Sequence, residues 1–283
     1  MPDEGCAIAD MTLLAILLSD GGMGDYWDDV DQYVRNQLIE HQVLRRDLLE
    51  EVVASGPEHK LNRLTETDDR VIDRQLGAFI SIADPTLSYA WWTMCCLGNC
   101  SVALYKAWES IIRYKDGVAQ VNLLLNRASS PLDLDSYLPY DGKVVLKNKL
   151  ARKAYVRVPA WVDKSAVKCR VNERQLALHW LNNYLIIEGL AAKDAVTIEF
   201  PVVETNEEHT EAAYRQQYTC RFRGNTLMDI SPRAARPLRT HDTSDDGSVF
   251  DVNKGYPLYL RESYSGNQAP MKKVQRYVSA TII

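Results

Sequence analysis

The chain has 283 residues, of which 46% are hydrophobic and 25% charged, enough material for two or three globular units. A net charge of −5 and a pI near 5.6 argue against nucleic acid as a partner, because a phosphate-binding surface needs clustered Lys and Arg. The longest strongly apolar run, Met11 to Leu18, is too short to cross a bilayer, and Asp3, Glu4 and Asp10 before it are not the basic flank of a signal peptide. No membrane partner is expected, and a cytoplasmic location is the default.

From Ala7 to Leu18 nearly every position is apolar, which predicts a helix buried on most of its faces. Gly21, Gly22 and Gly24 end it, and Asp25 is placed to cap the next. That second helix carries Tyr26, Val30, Tyr33, Val34 and Leu38 at spacings of three and four, an amphipathic stripe. A third is predicted over Arg45 to Ala54, stopping at Ser55-Gly56-Pro57, and a fourth from Val71 to about Ile82, ahead of Pro85. A fifth follows the paired cysteines, with Leu104, Trp108, Ile111 and Ile112 on one face.

After Gly117 the period changes to two. "VTIEF" alternates Val196, Ile198 and Phe200 against Thr197 and Glu199, as a half-buried strand does. "AYVRVPA", "AVKCRV", "NYLIIEG" and "RFRGNTLMDI" read as further short strands, and strands at this spacing predict a β-sandwich. Asn206 to Glu211 reads as a linker and "THDTSDDGS" as a solvated loop. The expected organisation is α + β and multidomain: helices over residues 1–116, a sandwich over 117–204, and a second β-rich region over 205–283 that packs on the first. There is no internal repeat. Because the chain opens on its most buried-looking helix, it reads as though it starts partway through a helical domain.

Six cysteines are too few for a disulfide scaffold, yet Cys95, Cys96 and Cys100 crowd into six positions. A reducing compartment leaves metal binding, nucleophilic chemistry or inert burial. Cys95 and Cys96 can supply two zinc ligands from one turn, and Glu4 and Cys6 in "DEGCAIAD" point the same way in an extended chain. Both pairs lie just ahead of apolar helices, whose dipoles favour thiolate. Spacing alone leaves the plain packing role open, since free cysteine is commonly buried. His41, His59, His179, His209 and His241 are scattered and read as surface residues, while Trp91 and Trp92 suit sugar stacking or a core equally.

"EGCAIADM", "YWDDVDQYVRNQL", "CCLGN", "ALYKAWESI", "VNLLLN", "LPYDGKVVL", "VRVPAW" and "VTIEFP" follow one another as in glycoside hydrolase family 127, and the chain resembles its β-L-arabinofuranosidase-like proteins from Asp3 to about Val203. Glu-x-Cys followed far downstream by Cys-Cys is the specific element. The resemblance implies helices of a partial (α/α)6 barrel followed by β-sandwich domains. It also implies zinc held by Glu4, Cys6, Cys95 and Cys96, and Cys95 as the nucleophile of a retaining hydrolase acting on an L-arabinofuranoside-containing glycan or oligosaccharide. The family's acid/base is a glutamate shortly before the first motif, which would fall upstream of Met1, so a truncated form is expected, self-associating through exposed barrel helices. Cys100 departs from the small residue usual there and reads as buried filler or a spare thiol; Cys169 and Cys220 read as core. The alternatives are an inactive zinc-binding fragment or pseudoenzyme, and a carbohydrate-binding or structural β-sandwich protein.

Overall fold

Alternating sequence builds the largest part of the molecule, which was analysed as a computed structural model describing residues 3–54, 69–84, 87–89, 94–211, 215–233 and 255–257. One five-stranded sheet runs in the order Arg174–Gln175, Lys168–Val171, Ala195–Glu199, Lys143–Asn148, Leu132–Ser136. The other runs His179–Leu181, Tyr184–Glu188, Lys153–Arg157, Val118–Val121, Ile112–Lys115. Neighbours are antiparallel except Val118–Val121 with Lys153–Arg157. Val144, Leu146, Val196 and Ile198 from the first sheet and Ala119, Val121, Val156, Leu185 and Ile187 from the second are buried in one shared cluster. Two sheets closing their apolar faces on one core make a β-sandwich. Its first strand starts at Ile112, ahead of the change of period at Gly117, because the helix before it ends at Ser110.

Five helices are described: α1 (Gly5–Asp20), α2 (Trp27–Tyr33), α3 (Arg46–Ala54), α4 (Val71–Gln75) and α5 (Met94–Ser110). α2 continues as a π-turn over Val34–Leu38 and a 3-10 turn over Ile39–His41. α1 and α5 lie side by side through small residues, Gly5, Ala9, Thr12 and Ala15 on one and Cys96, Cys100, Ala103 and Ala107 on the other, all buried. They run parallel: Cys100 touches Gly5 near their starts, and Arg113, just past α5, bonds Asp20 at the end of α1. α1, α2 and α5 share the sandwich's hydrophobic cluster, so the helical layer is built onto the β-layer.

Several expectations change here. α1 is not covered on most faces: Met11, Leu14 and Leu17 are 46%, 48% and 67% exposed. The buried stripe of α5 is its small residues, while Trp108 is 45% exposed, its ring covered by the Arg127 guanidinium at 4.2 Å, and Ile111 and Ile112 lie beyond the helix. The residue at the N-cap position of α2 is Tyr26, not Asp25, but Asp25 Oδ1 accepts from the N–H of Trp27 in the first turn at 3.4 Å, while its carboxylate is also held by Arg157 Nε at 2.7 and 3.0 Å and by Asn183. α4 is one short helix, closed by Gly77 at φ +86 before the chain becomes extended at Ile82–Asp84. The acidic stretch Asn206 to Glu211 is no linker: Glu204–Thr210 pairs with Gln217–Arg223, which pairs with Thr226–Ser231 in a three-stranded meander. "RFRGNTLMDI" is therefore a hairpin, turned at Gly224 with φ +56. "THDTSDDGS" lies outside the described residues.

A buried ion network ties the layers together. Arg157, 3% exposed, pairs with Asp25 and, through two nitrogens, with Asp28, while Asn225 of the meander donates to Asp28 and Asp31. Burial pushes the Asp28 carboxyl up, but the Arg157 hydrogen bonds and charge overcome this and hold it below the usual carboxylate range.

Candidate metal centre

Two helix starts meet at one place. Glu4 is extended, with φ −92 and ψ 135, because it pairs with Ile82 in a two-residue bridge just before α1. Gly5 N then donates to Ser81 O at 2.6 Å and helix begins, which puts Cys6 in its first turn. Cys95 and Cys96 lie in the first turn of α5, not ahead of it as the sequence suggests. The approach depends on Gly5: a Cβ there would meet Cys100 Sγ and Ile80 O at 3.0 Å and His41 Nδ1 at 3.3 Å.

Ligating atoms of Glu4, Cys6, Cys95 and Cys96 all lie within 4.8 Å of one another, although some ninety residues separate the pairs. Cys6 Sγ is 3.4 Å from Cys96 Sγ, Cys96 Sγ is 3.9 Å from Cys95 Sγ, and Cys96 Sγ is 3.6 Å from Glu4 Oε1. Three sulfurs and an oxygen at these separations match a tetrahedral shell, in which thiolates ~2.3 Å from zinc sit roughly 3.8 Å apart. The donor set can hold a metal ion. Burial separates the sulfurs: Cys96 is fully buried, Cys6 half-buried and Cys95 exposed.

Without a cation the Cys6 thiol resists ionisation. Burial first, then contact with the Cys96 and Cys95 thiols, pushes the Cys6 thiol up to about 12, with Asn99 working the other way. Burial and the same neighbours push Cys100 up to about 12. A coordinated dication reverses this, because bound thiols deprotonate outright.

Cys100 is buried and its Sγ donates to Gly5 O at 3.2 Å, so it joins the two helices. Cys169 and Cys220 are buried in strands. His179 and His209 are exposed and away from the cluster, His209 beside Glu207 at 3.1 Å. His41 corrects the expectation of a surface residue. It is fully buried, contacting Ile80 O through Nδ1 at 3.3 Å and Gln37 through Nε2 at 3.2 Å, and lines the floor beneath Gly5. Trp91, Trp92, His59 and His241 lie outside the described residues. Sequence reasoning missed Asn99, whose Nδ2 is 3.3 Å from Cys6 Sγ; its position in "CCLGN", one helical turn after Cys95, was the available signal.

No protein-family model matches the sequence, and no curated protein matches it significantly. Solved structures do. A family 127 β-arabinofuranosidase matches with a TM-score of 0.52 at 16% identity, over 80% of this chain and 37% of its own. A structure described as a glycoside hydrolase matches with a TM-score of 0.51 at 15% identity over the same shares. The β-L-arabinofuranosidase of Geobacillus stearothermophilus T6, also of family 127, matches at 0.49 with 14% identity over 80% and 36%. The fold is of the family 127 type. The chain spans little more than a third of the matched structures' length, 36–37%. Among the described residues no helix is long and apolar enough to cross a membrane.

Proposed function

We propose that Glu4, Cys6, Cys95 and Cys96 form a zinc site, and that Cys95 is the nucleophile of a retaining glycoside hydrolase of the β-L-arabinofuranosidase type. The observation that carries the reading is the convergence of a Glu-x-Cys and a Cys-Cys pair, each at a helix start, in a family 127-type fold. On this reading residues 1–116 are part of an (α/α)6 barrel, 117–204 a sandwich domain and 205–283 a second β-rich region. The substrate is an arabinofuranoside-containing glycan or oligosaccharide, and reduced thiols suit a reducing, cytoplasmic compartment.

Roles follow from exposure. A bound zinc ion would supply the positive charge that keeps the thiols deprotonated near neutral pH. Cys96, fully buried, and Cys6, half-buried, hold position, with Glu4 as the oxygen ligand. Cys95, the exposed sulfur, faces incoming sugar. Its Sγ bonds to the anomeric carbon as the glycosidic C–O bond breaks, and the leaving oxygen takes a proton from a general acid. Water then bonds to the same carbon as the C–S bond breaks, giving the proton back to that acid. Two inversions retain configuration.

The other reading is a zinc-binding chain without turnover. One experiment separates them. Protein purified under reducing conditions is assayed for zinc and for nitrophenol release from an aryl arabinofuranoside, whose good leaving group needs little protonation. The enzymatic reading expects one zinc per chain, lost in Cys96→Ser, and release abolished in Cys95→Ser. Zinc without release favours the second reading, and no zinc overturns both.

A further inference from the structure

Metal ligands are oriented and tuned by the groups that hydrogen-bond to them, and loss of such a partner typically costs about 10–100-fold in affinity. Asn99 stands in that relation to Cys6. Its Nδ2 is 3.3 Å from Cys6 Sγ, across the α1–α5 interface. A thiolate can only accept, so toward an ionised Cys6 the carboxamide presents its NH2 group.

Position reinforces the contact. Asn99 follows Cys95 by four residues and Cys96 by three, so one helical face carries two sulfur ligands and the donor to a third. The next residue, Cys100, bonds Gly5 O at 3.2 Å, so consecutive residues of α5 grip consecutive residues of α1. Cys100 fixes the backbone that carries Cys6, and Asn99 fixes its sulfur. Asn99 is itself exposed, so core packing does not account for an asparagine there.

We infer that Asn99 is a positioning residue of the metal centre, donating through Nδ2 to the Cys6 thiolate and so holding that ligand in place and lowering its charge density. The inference rests on the metal reading of the cluster.

The test uses the full chain loaded with Co2+ under a non-thiol reductant, comparing wild type with Asn99→Leu, Asn99→Ala and Asn99→Gln. Competition with a chromophoric chelator gives the affinity, and the sulfur-to-cobalt charge-transfer band reports on the thiolates. Asn99→Leu and Asn99→Ala are expected to bind about 10-fold more weakly, the lower end of the range because the site is partly exposed. Their bands move to longer wavelength, since a thiolate without its donor gives up charge more easily. Asn99→Gln keeps the carboxamide and returns the band toward wild type, which a purely structural role would not do. Affinities within about twofold of wild type and an unmoved band in both the Leu and Ala variants would overturn the inference while leaving the metal site standing. A wild-type chain with no charge-transfer band overturns the metal reading, and this inference with it.

Discussion

The sandwich and the helical layer share one hydrophobic cluster but are held by different means. In the sandwich, large aliphatic side chains such as Leu146, Leu185, Ile187 and Ile198 are shut between two sheets. Between α1 and α5 the contact is made by residues too small to fill space, Gly5, Ala9, Ala103 and Ala107, while Met11, Leu14 and Leu17 face outward. Burial stabilises the first region. Close backbone approach shapes the second, and that approach brings two helix starts near enough for four ligating groups to meet. Scaffold and chemistry are thus divided between the layers.

The largest effect should come from the sandwich. Leu146→Ala removes a fully buried side chain and should cost about 2–5 kcal/mol while leaving zinc stoichiometry unchanged. Denaturant unfolding beside metal analysis checks both halves of that statement, and loss of metal would show that the layers are not separable. Arg157→Met should cost about 2–3 kcal/mol, because it strands two carboxylates that are partly, not fully, buried. The pH dependence follows from Asp28. Its folded-state pKa is depressed, so its contribution is present above the unfolded value of about 3.9 and is lost as pH falls through the folded one. Wild type should lose that stability below about pH 4, and Arg157→Met should flatten the loss. An unchanged acid limb would remove the network from the account.

Legibility followed the same division. The alternation of Val196 and Ile198 with Thr197 and Glu199 identified a half-buried strand, and the structure has one at Ala195–Glu199. The Glu-x-Cys and Cys-Cys pairs were readable as residues able to share an ion, and they lie together. Small-residue contact left no such trace. Trp108 drew the expected stripe because apolar bulk is what a hydrophobic pattern registers, whereas Ala103 and Ala107 do the packing, with Leu104 half-buried against the same core. His41 was misread because Ile80, the partner that makes its burial tolerable, is 39 residues away. The hairpin at Gly224 was missed because Arg221 to Ile230 reads as one continuous run, although Gly-Asn is a turn signal.

Two smaller effects sharpen the contrast in the helices. Ala103→Leu forces bulk between α1 and α5 and should cost about 1–3 kcal/mol, with weaker metal binding because the helix starts are pushed apart. A chelator titration of the folded variant reads that separation. Leu14→Ser, on the outward face of α1, should change stability by no more than about 0.5 kcal/mol. Light scattering on the same variant tests self-association through that face, which should decrease if the exposed leucine contributes to it.

The central claim is that residues from two helix starts form one metal shell. X-ray absorption at the zinc edge of the purified, reduced chain tests it most directly. The account predicts a four-coordinate ion with three sulfurs at ~2.3 Å and one oxygen at ~2.0–2.2 Å, falling to two sulfurs in Cys6→Ser. A shell of oxygen and nitrogen ligands, or a sulfur count that Cys6→Ser leaves unchanged, would contradict it.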